Sequence, residues 1–175
     1  MKSIEVSTKR LQLKPLGSEY LKTVNEYAMD YENTKYMCHL PNETTEETVN
    51  FLAYVDSEWE KEKPSFFEFA ILYENKHIGA VGIYFEEEIG EIGWIVNKNY
   101  WRNGFAYEAA QALVDYFKNN MGTTHFIAHC DTENVASYKV MEKLSMTRTG
   151  EWGGRRNRSA KQDSFEYRYE LIIST

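Results

Sequence analysis

The chain has 175 residues, 42% of them apolar and 27% charged, with 20 Lys and Arg against 27 Asp and Glu for a net charge of −7. This composition suits an ordinary globular protein with one core, and a single domain over residues 1–175 is expected. The acidic balance disfavours nucleic acid as a partner, which needs a basic field. No segment is apolar over a membrane-spanning length.

The start, Met1-Lys2-Ser3-Ile4-Glu5-Val6, carries no apolar stretch, so no secretory signal is predicted and a cytoplasmic location is expected. Cys38 and Cys130 lie far apart, with no Cys-x-x-Cys spacing, and are expected as reduced thiols. His125 and His129 would project from one face of a strand. Two imidazoles are too few for a metal, so both are expected to be structural or surface residues and no metal is expected.

Arg10 to Leu16 alternates polar and apolar residues and predicts a first strand. A helix follows from about Ser18 to Tyr27, then an irregular stretch from Met29 to Pro41 rich in aromatic and acidic residues. Thr44 and Glu47 have capping-box spacing, and the helix they open should turn Val49, Phe51, Leu52, Val55 and Trp59 to the core and end near Pro64. Phe66 to Tyr73 and His77 to Phe85 predict a hairpin around Glu74-Asn75-Lys76, with a further strand through Glu91-Ile92-Gly93-Trp94-Ile95-Val96. The period then changes. Ala106, Ala109, Ala110, Leu113, Val114 and Phe117 make one face of a helix. Phe126 to Cys130 predicts a strand, and Asn134 to Leu144 a short helix with Ala136, Val140 and Leu144 inward. Two closing strands, Met146 to Trp152 and Ser164 to Ile173, flank a Gly- and Arg-rich loop. The order predicts an α+β fold with a mixed, mostly antiparallel sheet of about seven strands flanked by helices.

The densest chemistry lies at Trp101-Arg102-Asn103-Gly104-Phe105-Ala106, where a strand ends and a long helix begins. A helix start leaves amides unpaired and carries partial positive charge, and a small residue there lets an anion such as a diphosphate approach. By spacing alone, Gly104 need do no more than turn the chain. Neither Gly-x-x-x-x-Gly-Lys-Ser/Thr nor Gly-x-Gly-x-x-Gly is present, so nucleoside triphosphate and dinucleotide folds fit worse.

The turn resembles the Gln/Arg-x-x-Gly-x-Gly/Ala turn of the GNAT acetyltransferases, with Trp101 in first place as in their RimJ/RimL-type branch. Thr8 to Leu16, Glu91-Ile92-Gly93-Trp94, Ala106-Tyr107-Glu108-Ala109-Ala110, Glu133-Asn134-Val135-Ala136-Ser137 and Glu142-Lys143-Leu144 resemble the same branch in the same order. The resemblance implies acetyl-coenzyme A as co-substrate. The amides of Arg102, Asn103, Gly104, Phe105 and Ala106 would hold its pyrophosphate. The strand Trp94-Ile95-Val96 would splay from its neighbour and pair with the pantetheine arm. Asn134 would bond the pantetheine, and Ser137 would lie near the sulfur. Asn134 also suits a helix N-cap, and both roles can hold together. Where many members place a Tyr to protonate the thiolate, this chain has Met141, so Ser137 is the expected donor and Tyr138 a weaker substitute. Ser145-Met146 replaces the family's Gly-Phe.

The implied reaction is acetyl transfer to a primary amine, either a protein N-terminal α-amine or a small molecule. The alternative is a coenzyme A-binding or sensing module without catalysis. A neutral amine is required, which at pH 7 costs roughly 4–5 kcal/mol for a lysine-like amine and roughly 1 for an α-amine. Glu91 is the expected base, and the amide of Ile95 or Val96 the group that polarises the thioester carbonyl. Tyr31, Glu32 and Tyr36, with their neighbours Tyr27, Asp30 and Met37, are expected to receive a cationic acceptor by charge and cation–π contact. The loop Arg155-Arg156-Asn157-Arg158 has no assigned role. A homodimer would be in keeping with the family.

Overall fold

The computed structural model describes residues 4–174; Met1, Lys2 and Ser3 of the N-terminal stretch read above, and Thr175, lie outside the described residues. The strands are β1 (Val6–Ser7), β2 (Leu11–Pro15), β3 (Phe66–Tyr73), β4 (Lys76–Glu86), β5 (Ile89–Val96), β6 (His125–Asp131), β7 (Thr147–Arg155) and β8 (Ser164–Ile172). The helices are α1 (Leu21–Ala28), α2 (Tyr31–Thr34), α3 (Thr45–Glu60), α4 (Phe105–Met121) and α5 (Val135–Lys143). The strands form one sheet in the order β1-β2-β3-β4-β5-β6-β8-β7. The class is α+β as expected, and the described residues form eight strands where about seven were expected. The extra one is a two-residue strand whose Val6 and Ser7 pair with Leu13 and Gln12, too short to carry a periodic signal.

Local chemistry explains the joints. Glu74 and Asn75 both take positive φ, 49° and 62°, the shape that closes a two-residue hairpin between Tyr73 and Lys76. Thr44 accepts the Glu47 amide, and Glu47 Oε2 accepts the Glu43 amide, which opens α3. Gly122, at φ 70°, ends α4 in the left-handed conformation.

Helices cover both faces. On one face α4 buries Phe105, Ala109, Ala110, Leu113, Val114 and Phe117 against Phe67, Phe69, Ile71, Val81 and Ile83. Truncating a fully buried ring such as Phe117 to Ala typically costs about 3–5 kcal/mol. On the other face α1 and α3 pack Val24, Tyr27, Leu52 and Val55 onto Ala70 and Ala80. Two predicted helix faces are corrected. In α3 the buried stripe is Thr48, Leu52, Val55 and Glu58, while Val49 and Phe51 are exposed on its flanks. In α5 the buried residue is Met141, with Leu144 just beyond the helix, while Ala136 is exposed. A helix face is set by what packs on it, so a chain of apolar residues can be read one position out of phase.

Candidate active site

Strands β5 and β6 are parallel neighbours that register only at Ile89↔His125, Gly90↔Phe126 and Glu91↔Ile127. Beyond Glu91 they part, although β5 stays on β4 as far as Gly79↔Val96 and β6 stays on β8 as far as Asp131↔Glu166. The expected splay is therefore present, and no register shift accompanies it on the β4 side. Parted strands leave backbone groups without a ladder, which must find a ligand or water instead. Two cavities open at the gap. One of about 630 Å³ is lined by the Trp101–Tyr107 turn and the start of α5, and one of about 720 Å³ lies over β3 to β5 on the α1/α3 face. Met37, Trp94 and Ile95 line both, so the cavities adjoin at the free edge of β5.

The turn is built as a cradle. Arg102 and Gly104 take positive φ, 64° and 77°. A Cβ on Gly104 would meet only Arg10 Nη2, at 3.6 Å, so the concavity is open. Glu108 donates its amide to Gly104 O at 3.1 Å, which leaves the amides ahead of it as the orphan donors of α4. The first turn is held in place from outside. Arg10 Nε lies 2.7 Å from Glu108 Oε2, the Arg10 guanidinium stacks 4.6 Å above the Phe105 ring, and Thr8 donates to Glu108 Oε1. A diphosphate fits this donor set.

The free edge of β5 sharpens the expectations for Ile95 and Val96. Asn97 donates to Ile78 O, and Ile95 O lies where a Gly79 side chain would sit, so Ile95 faces β4. Strand alternation then turns Trp94 and Val96 to the gap. The Val96 amide therefore faces the gap, while Ile95 is a ladder residue whose side chain borders both cavities. The Val96 carbonyl is already occupied, accepting from Asn33 Nδ2 and Trp101 Nε1, both at 2.7 Å. Trp101 thus ties the turn to the strand end, a structural use of the first residue of the motif.

Across the gap, Asn134 caps α5 by accepting the Ser137 amide at 3.2 Å through Oδ1, which leaves its Nδ2 for a ligand. Asn134 and Ser137 both line the turn-side cavity, as do Trp94, Val96, Arg102, Phe105 and Ala106. Burial pushes the Cys130 thiol up to about 11, and the Ser137 side chain acts on it only weakly in the opposite direction. Cys130 is therefore un-ionised near neutrality and is no nucleophile. Met141 is 1% exposed in the core. The position could not offer a proton even by rotation.

Glu91 stands at the apex of the splay, the last residue of β5 registered with β6. Its Oε1 lies 2.8 Å from His129 Nδ1, and both residues line the larger cavity. His129 is corrected from a structural or surface residue to one facing this cavity. Its companion in the sequence reading, His125, pairs with Glu170 at 2.8 Å on the same sheet face but outside both cavities.

The expected acceptor residues are placed elsewhere. Tyr31 is 63% exposed and lines neither cavity. Glu32 and Tyr36 line the turn-side cavity. The acidic charge here is already engaged, since Lys98 Nζ lies 2.6 Å from Asp30 and 3.7 Å from Glu32. That hydrogen bond holds the Asp30 carboxyl below its ordinary value. Of the early region, Tyr27 and the Met37–Leu40 segment do line the larger cavity.

The Arg-rich loop has a definite place. Arg155 Nη2 donates to Tyr36 O at 2.9 Å, the Arg158 amide donates to Met37 O at 3.0 Å, and Arg158 Nη2 lies 2.7 Å from Glu47. Arg155 is itself held by Glu166 and by Asn157, which bonds the buried Asp131 at 2.5 Å. The loop latches the 36–39 segment beside the larger cavity. Arg156 is exposed and pairs with Asp163.

One functional group escaped the sequence reading. Glu68 of β3 projects from the face that carries Ala70 and lines the larger cavity. Burial alone pushes its carboxyl up to about 8. The available signal was a single carboxylate inside Phe66-Phe67-Glu68-Phe69-Ala70-Ile71-Leu72, a strand covered on both faces.

The sequence matches, over residues 10–147, the family model described as Acetyltransferase (GNAT) domain. It is 35% identical over 150 residues to the uncharacterized N-acetyltransferase YnaD of Bacillus subtilis (strain 168), covering 84% of this chain and 85% of that protein. Its structure is similar to that of a GNAT-family acetyltransferase from Bacillus anthracis, with TM-score 0.81, 31% identity, and 97% and 98% of the two chains covered. It also shares a fold with RimL, a ribosomal L7/L12 α-N-protein acetyltransferase solved with coenzyme A, at TM-score 0.83 and 16% identity, with 97% and 98% covered. The open splay and its cradle thus have a family to go with them: the chain belongs to the GNAT acetyltransferases and is acetyl-coenzyme A-dependent.

Proposed function

We propose that the chain acetylates a primary amine in the cytoplasm by direct attack of the amine on the thioester, with the acceptor entering through the larger cavity. The observation that supports this most is the adjoining of the two cavities at Trp94 and Ile95, on the edge that opens beyond Glu91. Acetyl-coenzyme A supplies an activated acetyl group. The amides of residues 102–106 hold its diphosphate, Asn134 Nδ2 binds the pantetheine, and the Val96 amide stabilises the oxyanion.

Glu91, oriented by His129, takes a proton from the ammonium directly or through water. The freed nitrogen bonds to the acetyl carbon, the carbon–sulfur bond breaks, the thiolate takes a proton from Ser137, and Ser137 regains one from the adduct nitrogen through water. Products are the amide, the thiol and one proton. Cys130, held neutral by burial, offers no acyl-enzyme route, which favours direct transfer. The acceptor class includes protein α-amines, such as the ribosomal L7/L12 N-terminus that gives the structurally similar RimL its description, and small amines.

The test is thiol release from acetyl-coenzyme A across small amines and peptides with free N-termini. Glu91→Gln should lower kcat by about 100-fold with the KM for acetyl-coenzyme A unchanged. Full turnover in that variant would remove Glu91 from the mechanism. Tight coenzyme A binding without turnover of any amine would instead indicate a binding module.

A further inference from the structure

Among the described residues the Glu68 carboxyl has no hydrogen-bond or ion-pair partner, which gives it the chemistry of a ligand-binding group. Its carboxyl leans directly over Gly82 of the neighbouring strand, where even a methyl group would fall 1.8 Å from Oε2. Gly82 registers with Glu68 on one side and with Gly93 on the other. Nothing lies within 4 Å of where a Gly93 side chain would begin. Two glycines in one row therefore clear a trough from Glu68 on β3, across β4, to the free edge of β5. Adjacent strands lie about 4.8 Å apart, so the carboxyl stands about one strand from the space beside the splay.

The surroundings restrict what fills that space. Val24, Leu40, Phe51, Phe66 and Trp94 make the cavity's walls apolar. The 36–39 segment beside it is fastened by Arg155 and Arg158. A latched chamber of about 720 Å³ matches a small molecule, whereas an extended peptide needs an open groove with backbone partners. Among the described residues no hydrogen bond or neighbouring charge offsets the desolvation of the Glu68 carboxyl. An arriving cation would supply the missing partner, and burial would strengthen the pair.

We propose that Glu68 binds the ammonium group of the acceptor, and that the acceptor is a small primary amine with an apolar body rather than a protein N-terminus. The hydrocarbon fills the chamber, the nitrogen stands over Gly82 and Gly93, and Glu91 with His129 faces it from the next row. This rests on the transferase reading above and names the acceptor class for it.

The probe is 2-phenylethylamine, assayed by thiol release against tetrapeptides with free apolar N-termini. The parent should turn over the arylalkylamine in preference to the peptides. Glu68→Gln should raise the KM for that amine about tenfold or more, the value of a charge-assisted hydrogen bond, with the KM for acetyl-coenzyme A unchanged. Gly82→Ala serves as a second variant, because its methyl displaces the flexible carboxyl without removing it. It should raise the same KM while keeping the parent's thermal midpoint within a few degrees. Turnover confined to peptides, or variants within twofold of the parent on the amine, overturns this proposal while the transferase reading stands. No thiol release with any amine overturns both.

Discussion

Replacing Glu68 by Gln should stabilise the protein, and by an amount that depends on pH. An ordinary Glu ionises near 4.5, whereas burial moves this one to about 8 in the folded chain. The folded state therefore favours the protonated acid. A raised carboxyl pKa contributes its stability in full below the unfolded value and loses it as pH rises through the folded one. Each pH unit of that interval is about 1.4 kcal/mol. The parent should thus be handicapped by on the order of 3 kcal/mol at pH 7 and about 5 above pH 8, and hardly at all at pH 4. Gln mimics the protonated acid in size and polarity at every pH, so the variant escapes the handicap. Urea unfolding of both proteins at pH 5, 6, 7 and 8.5 reads the difference directly. It should open steadily between pH 5 and 8. A difference that stays flat across that range would refute the assignment of a desolvated, unpartnered carboxyl. A group that costs stability in the resting protein is one expected signature of a site kept for binding.

Other outcomes follow from the same structure. Gly104→Val should weaken coenzyme A binding at least tenfold, read as lost thermal stabilisation by the ligand. Because Gly104 has φ 77° but a Cβ there meets only Arg10 Nη2 at 3.6 Å, the unliganded variant should lose only about 1–2 kcal/mol. Parent-like affinity in a folded variant would dismiss the cradle. His77 behaves oppositely to Glu68. It is half-buried, hydrogen-bonded to Gly79 O at 2.8 Å and Thr23 at 2.6 Å, and desolvation lowers its pKa from 6.5 to about 4. A depressed histidine stabilises above its unfolded pKa and loses that contribution as pH falls from 6.5 to 4. His77→Asn should therefore close on the parent by about 3 kcal/mol over that interval. A constant gap in urea midpoints would show that His77 is not held neutral.

Some of the chemistry was legible because it is local. The turn from Trp101 to Ala106, the Thr44 cap with Glu47 and the Asn134 cap with Ser137 all lie within a few residues of one another. Backbone angles, orphan amides and caps are decided at that range. The face of α4 was legible too, because six apolar residues at helical spacing leave one solution. Glu68 was missed for the reason that makes it informative: within its strand it reads as one polar interruption, and its burial depends on α1 and α3 covering that face.

The sequence by itself determined the element types, the glycine turn before α4 and, through its ordered motifs, the family. Tertiary structure decided the rest of the site. His129 meets Glu91 only because β6 lies parallel to β5, and Arg155 and Arg158 reach the 36–39 segment only because β8 lies between β6 and β7. Tyr31 and Glu32 looked like receptors for a cation, yet one faces solvent and the other faces Lys98. Which carboxylate is left without a partner depends on every neighbour around it, and those neighbours come from elements far apart in the chain.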